Sequence, residues 1–318
     1  MADTGIVTAG ADVAAHEAAI VKQGKVPGRG FWGAIKAAPW SAKLSIFWLS
    51  FIIFAAVYAK LNNWFDYSLP LIQDPYYQGN LFGTTRPTES PSKAHWLGTD
   101  VLARDTWSRI LNGAWVSLVV ALASAAFGIV IGGLLGSFVG YVKGRWETSI
   151  MAGMDVILAF PALVLLLALV SIWEVRSLAV ISLVIGVLSI PAYTRIARAN
   201  ALAISNREFV QAAQAIGTKK STILLREIVP NVLPALFAYA LVQAGFVVVL
   251  EGTLSFLGLS VQLPEPTWGN MINEARRDIR QTIMPVFWPS LFLTLTVLSL
   301  NQVGDWLQQR AAVRSSAL

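Results

Sequence analysis

Two histidines, His16 and His95, are all the imidazole this chain has, and it has no cysteine. Thiolate nucleophiles, disulfides and cysteine-based metal sites are therefore outside its chemistry. The histidines stand far apart in polar stretches, so neither a histidine zinc site nor a Ser-His-Asp triad is expected. Two carboxylates adjoin apolar runs: Asp155 in "MAGMDVIL" and Glu251 in "VVVLEGTL". An ionisable group in such a place is costly and marks a functional site by default. Asp155 is expected to pair with a helix end or a neighbouring arginine in preference to a solute. Glu251 is expected at the outer boundary of its run, either hydrated or touching a ligand. Both are carried as candidate contacts of a substrate pathway. "GTKKST" is not a phosphate loop: Lys219 stands where glycine must precede the lysine, and Gln214 where the upstream glycine belongs.

Chemistry this sparse is set in an unusual solvent. Only 13% of residues are charged, 55% are hydrophobic, and the mean hydropathy is +0.60. A soluble domain carries about a quarter charged residues, so the lipid bilayer is the expected host. The net charge of +6 does not point to nucleic acid, because the basic residues stand at the edges of apolar runs, where they hold segments at a cytoplasmic face.

Six apolar runs are expected to span: 44–59 (bracketed by Lys43 and Lys60), 110–142, 149–173, 177–194, 229–250 and 283–304. The fold class is an all-α membrane protein with six transmembrane helices. Lysine and arginine in the short loops place both termini in the cytoplasm. The organisation that follows is a cytoplasmic arm at 1–39 without the marks of a signal peptide, a first span at 40–60 and an extracytoplasmic segment at 61–109. A core at 110–308 contains a cytoplasmic segment at 203–226, and a cytoplasmic tail covers 309–318.

Residues 61–98 are rich in turn formers, and "GTDVLARDTWSRIL" starts a helix with Thr99 or Asp100 as its N-cap. In 252–282, Pro264 and Pro266 interrupt any helix and Trp268 suits the headgroup region. Pro161 and Pro191 could kink their spans, and Gly132, Gly133 and Gly136 allow close helix packing. Arg195 and Arg198 are expected to orient the chain at the inner face.

"REFVQAAQAIGTKKSTILLREIVPNVLPAL" lies between the fourth and fifth spans. It predicts a short helix with Asn206 as N-cap and Glu208 in the first turn. A turn follows at Gly217, then a second helix capped by Ser221. Ala212 and Ala213 permit close approach by another surface, which is either a second protein or the chain's own bundle.

"FVQAAQAIG" followed by "REIVPNVLP" resembles the cytoplasmic signature of permease subunits of bacterial ATP-binding cassette (ABC) importers. "HWLGTDVLARDTWSRIL" and "SFLGLSVQLPEPTWGNM" are similar to paired signatures of the C-type permease in the dipeptide, oligopeptide and nickel branch. The likeness covers about residues 95–310. It departs at Gln211, where the motif has an acid, at Ala103, where many relatives have glycine, and at Arg226–Glu227, which replaces an Arg-His pair.

The resemblance implies a type I ABC importer permease fold in the bacterial inner membrane. The implied partners are a second permease, two ABC ATPases and an extracytoplasmic substrate-binding protein. Glu208, Phe209, Gln211, Ala212, Ala213 and Gly217 would form the ATPase-coupling segment. The chain would bind no cofactor, and ATP and Mg would be used by the ATPases. Di- or oligopeptides are the implied cargo; nickel or another small solute is an alternative. An ion-gradient-driven carrier would need several buried polar groups at the midplane, and an intramembrane enzyme would have only carboxylates such as Asp155 to work with.

Overall fold

The computed structural model describes residues 31–316 apart from 68–69, 84 and 173–175. Most of the expected N-terminal arm, with His16, therefore lies outside the described residues. A short helix, α1 (Phe31–Lys36), leads into α2 (Trp40–Trp64), which is longer at both ends than its apolar run. The remaining long helices are α3 (Thr106–Val142), α6 (Leu178–Ser205), α8 (Lys220–Phe256) and α10 (Met284–Ser316). Between them stand α4 (Arg145–Leu158) with α5 (Ala162–Val170), α7 (Glu208–Ala215) and α9 (Trp268–Ala275). Among the described residues every named element is helical.

Among the described residues, five helices are long and apolar enough to cross a membrane. The sixth expected span is broken: α4 and α5 meet at 84° around Phe160 and Pro161. Proline has no N–H to give and clashes with the preceding turn, so the helix stops and restarts there. The stretch between the third and fourth expected spans, 174–176, falls largely outside the described residues. Other expected boundaries move outward because amphipathic flanks extend the apolar runs. α6 continues past Thr194 to Ser205, and α10 continues through the expected tail to Ser316.

Glycine decides how α3 meets α6. A Cβ on Gly132 would crowd the Ile190 carbonyl, one on Gly136 would overlap the Thr194 carbonyl, and one on Gly140 would crowd that of Arg198. Their absence lets the two backbones touch, the close packing that membrane helices use where no hydrophobic force acts between them. Around this seam lie two buried clusters. One, with Ile52, Ile110, Leu166, Ile185, Val248 and Leu254, joins α2, α3, α5, α6 and α8. The other, with Tyr193, Ala197, Val210, Ile223 and Ile228, lies toward α7. Phe47, Phe54, Leu122, Phe237 and Leu298 point outward, as side chains facing lipid do.

Candidate functional site

α7 and α9 sit at opposite ends of α8. At the first end, Asn206 is not the N-cap of α7 but follows the last residue of α6; the N-cap is Arg207, whose backbone is extended and whose side chain makes no capping bond. Likewise Lys219, not Ser221, precedes the first turn of α8, which then passes through a π-helical stretch at Leu224–Ile228. That stretch contains Arg226 and Glu227. Gly217 is as expected: its φ is +79°, its N–H reaches the Gln214 carbonyl at 3.0 Å, and the Thr218 N–H reaches that of Ala213 at 3.1 Å. This paired closure is a Schellman motif, which needs a left-handed residue.

One side chain ties α7 down. Val210 is fully buried against the cluster of Ile223, Ile228 and Val232, and Ala213 turns partly toward the same side. The other expected residues point away: Glu208, Phe209, Gln211, Ala212 and Gly217 are all exposed. The Gln211 amide folds back onto the Asn206 carbonyl at 3.3 Å. Phe209 (45% exposed), Ala212 and Ile216 (82% exposed) recur at helical spacing, so α7 presents an apolar stripe that its own bundle leaves uncovered. Ile216 was missed by sequence reasoning, although an isoleucine just before a helix-ending glycine at that spacing carries the signal.

The two substrate-pathway candidates part company. Asp155 accepts from Arg195 at 2.6 Å with both side chains more than half exposed, and Arg198 holds Glu147 of α4 at 2.7 Å. Arg195 and Arg198 thus clamp α4 to α6 in addition to any role in orientation. Glu251 is not a boundary carboxylate. It is fully buried, and accepts from Ser255 and Ser260 at 2.9 Å and from Ser117 at 3.2 Å. The expected hydration is replaced by three hydroxyls, because α9 and its approach cover that end of α8.

The α9 end holds a second group that sequence reasoning did not find. Arg104 donates to Asp100 at 2.7 Å and to Glu274 at 2.6 Å, while Arg109, fully buried, reaches the same carboxylates at 3.2 and 3.0 Å. Two cations and two anions offset one another with only Glu274 partly exposed, which is how buried charge is tolerated. Asp105, not Thr99 or Asp100, caps α3; it accepts from the Ser108 N–H at 2.8 Å and faces His95 at 3.0 Å. Ala103 has φ +55°, a conformation glycine adopts without cost. Trp268 is not at an interface: it is fully buried and donates to the Ile110 carbonyl at 3.0 Å. Nearby, burial and the Asp74, Glu265 and Asp66 carboxylates push the Tyr67 hydroxyl up to about 12. Tyr76 is pushed up as well, by burial and by Glu265.

Among the described residues the chain is a bundle of five long helices and one broken pair, with a short exposed helix between two spans. A similar fold is found in the MetNI methionine ABC transporter, solved in inward-facing conformations. One chain of that transporter superposes on this one with a TM-score of 0.50 at 18% identity, covering 64% of this chain and 95% of that one. The chain belongs to the binding-protein-dependent transport system inner membrane component family, which matches residues 132–315. It is 36% identical over 256 residues to the glutathione transport system permease protein GsiD of Pectobacterium atrosepticum, covering 80% of this chain and 83% of that one. To GsiD of Escherichia coli O6:K15:H31 it is 34% identical over 286 residues, 90% of each chain. This protein is therefore a permease subunit of an ABC importer in the bacterial inner membrane.

Proposed function

We propose that this permease is one half of a heteromeric pathway that imports a small peptide or peptide-like solute. Its partners in this reading are a second permease, two ABC ATPases on the cytoplasmic side and an extracytoplasmic binding protein. The ATPases use ATP and Mg, and this chain holds no cofactor. The α7 end and both termini face the cytoplasm. The relatives named for glutathione transport support a peptide-like cargo, because glutathione is itself a small peptide.

The observation that carries the reading is the uncovered stripe of α7. A short helix anchored through Val210, stopped by Gly217 and apolar on its outer side is built to seat in another protein's groove. Glu208, Phe209, Gln211, Ala212, Ala213 and Gly217 form the coupling segment, and Ile216 joins them. When the ATPases close on ATP, α7 is displaced as a lever, and α6 and α8, which flank it in sequence, carry that displacement into the bundle.

Pull-down in detergent tests this. Gly217→Trp has open space around it but a strained φ, and is expected to insert normally yet recover at least tenfold less ATPase. Undiminished recovery would remove the docking site from α7. Reporter fusions are expected to place 203–226 in the cytoplasm and 61–98 outside. Uptake that survives ATP depletion would replace this reading with a gradient-driven carrier.

A further inference from the structure

Of the buried carboxylates described, Asp100 and Asp105 face arginine or histidine, whereas Glu251 faces hydroxyls alone. A carboxylate taken out of water with no cation beside it is a poor way to fill space; an apolar side chain of similar volume packs there without the desolvation cost. What a carboxylate adds is direction, because its two oxygens accept several hydrogen bonds at fixed angles.

Those bonds reach separate parts of the chain. Ser117 belongs to α3, Ser255 to the same turn of α8 as Glu251, and Ser260 to the approach to α9. Ser255 lies 2.6 Å from the Thr267 hydroxyl, and Thr267 is the N-cap of α9. The Thr267 oxygen accepts from the Asn270 N–H at 3.1 Å, so its own hydrogen is free to point at Ser255, whose hydrogen points at Glu251. The result is one directed chain from the first turn of α9 to a carboxylate inside α8.

The surrounding packing makes this chain a rigid joint. A Cβ on Gly269 would overlap the Gly252 carbonyl, so α9 lies directly on the α8 backbone. Trp268 fastens α9 to α3 through the Ile110 carbonyl, and Glu274 fastens its far end to Arg104 and Arg109. α8 runs 37 residues from Lys220, just past α7, to Phe256, beside α9. At 1.5 Å per residue that is roughly 55 Å in one element.

We infer that Glu251 is a positioning residue for transport: through Ser255 and Thr267 it makes α9 follow α8, so that displacement of α8 at the α7 end is delivered to α9 at the opposite end. The inference rests on the coupling role given to α7 above. It adds that α9 responds, and names the groups that make it respond.

The absence of cysteine supplies a direct test. Asn273 lines a cavity of about 220 Å³ between α9 and the end of α8, together with Ser255, Gln262 and Glu274. Asn273→Cys places a single thiol on α9, and its maleimide labelling rate in the assembled importer reports α9's position with and without trapped ATP. With Glu251 and Ser255 intact, trapping is expected to change that rate at least fivefold. Glu251→Gln keeps the size and the acceptor oxygen and is expected to retain the change, with Ser117 turning to accept from the amide. Ser255→Ala removes one hydroxyl, leaves the carboxylate its other two partners, and is expected to reduce the response to less than twofold in a complex that assembles and melts normally. Glu251→Leu is expected to do the same.

A full response in an assembled Ser255→Ala complex would overturn the inference, even if Glu251→Leu fails to fold. If the unaltered joint itself shows no nucleotide response while uptake is ATP-driven, the inference also fails and the coupling reading stands. If no ATPase is recovered with the chain, it is the coupling reading that fails.

Discussion

The two ends of this bundle solve opposite problems with opposite materials. At the α9 end, Asp100, Arg104, Arg109, Glu274 and Glu251 are buried or nearly so, and each carboxylate is met by arginines or hydroxyls. At the α7 end a short helix hangs on Val210, and Phe209 and Ile216 are left bare. Buried polar bonds fix geometry at a cost, whereas bare apolar side chains leave surface for a partner to cover. One end is closed on itself, and the other leaves an apolar stripe uncovered.

The contrast can be broken first at its strongest point. Arg109→Ala leaves Glu274 and the buried Asp100 with one cation fewer, and is expected to cost about 3–5 kcal/mol, read as a large drop in the detergent melting temperature. A melt within error of the unaltered protein would show that the four-charge group is not a structural bolt. Gly269→Ala is expected to cost about 1–3 kcal/mol, because the added methyl overpacks the contact of α9 with the Gly252 carbonyl.

Alkali should act on the α9 end. The Tyr67 hydroxyl is raised to about 12 from an ordinary 10, so the folded state holds its proton more tightly than the unfolded chain does. Its stabilising contribution is complete below pH 10 and is lost as pH rises through 12. Tyr67→Phe should reduce the late phenolate absorbance by one tyrosine's share and flatten that part of the stability profile. A Tyr67 phenolate, read as the difference between the unaltered and Tyr67→Phe proteins, that titrates near 10 would contradict the buried setting.

Toward the α7 end the effects on stability shrink. Arg195→Ala breaks an ion pair whose partners are more than half exposed and is expected to cost under about 1 kcal/mol. Ile216→Glu is expected to change stability by less than about 0.5 kcal/mol while recovery of the ATPases falls at least tenfold. A large loss of stability there would mean that α7 is part of the core, and the comparison of the two ends would fail.

How far the chain could be read in advance follows the same division. Lipid-facing runs, the small-residue seam at Gly132 and Gly136, and the glycine stop at Gly217 are local patterns, and each was visible as spacing. The broken pair around Pro161 was visible only as a proline, because neighbouring helices decide whether a membrane helix absorbs one. Helix starts misled most: Asn206 and Thr99 are good cappers by type, but Asn206 closes the end of α6 and Thr99 bridges locally to Asp105. The group of Asp100, Arg104, Arg109 and Glu274 joins residues more than 160 positions apart, and no periodicity reports such a pairing. Glu251 was found as a costly residue but misplaced, because what buries it is α9, a short helix whose position no pattern in its own sequence discloses.

The most direct measurement uses the one reactive group this chain lacks. With Ile216→Cys as its only thiol, maleimide labelling of the permease alone is compared with labelling after the ATPases have bound. Protection of at least tenfold on assembly is the predicted result. Equal labelling in the two states would contradict the claim that α7 is the handle by which the importer is driven.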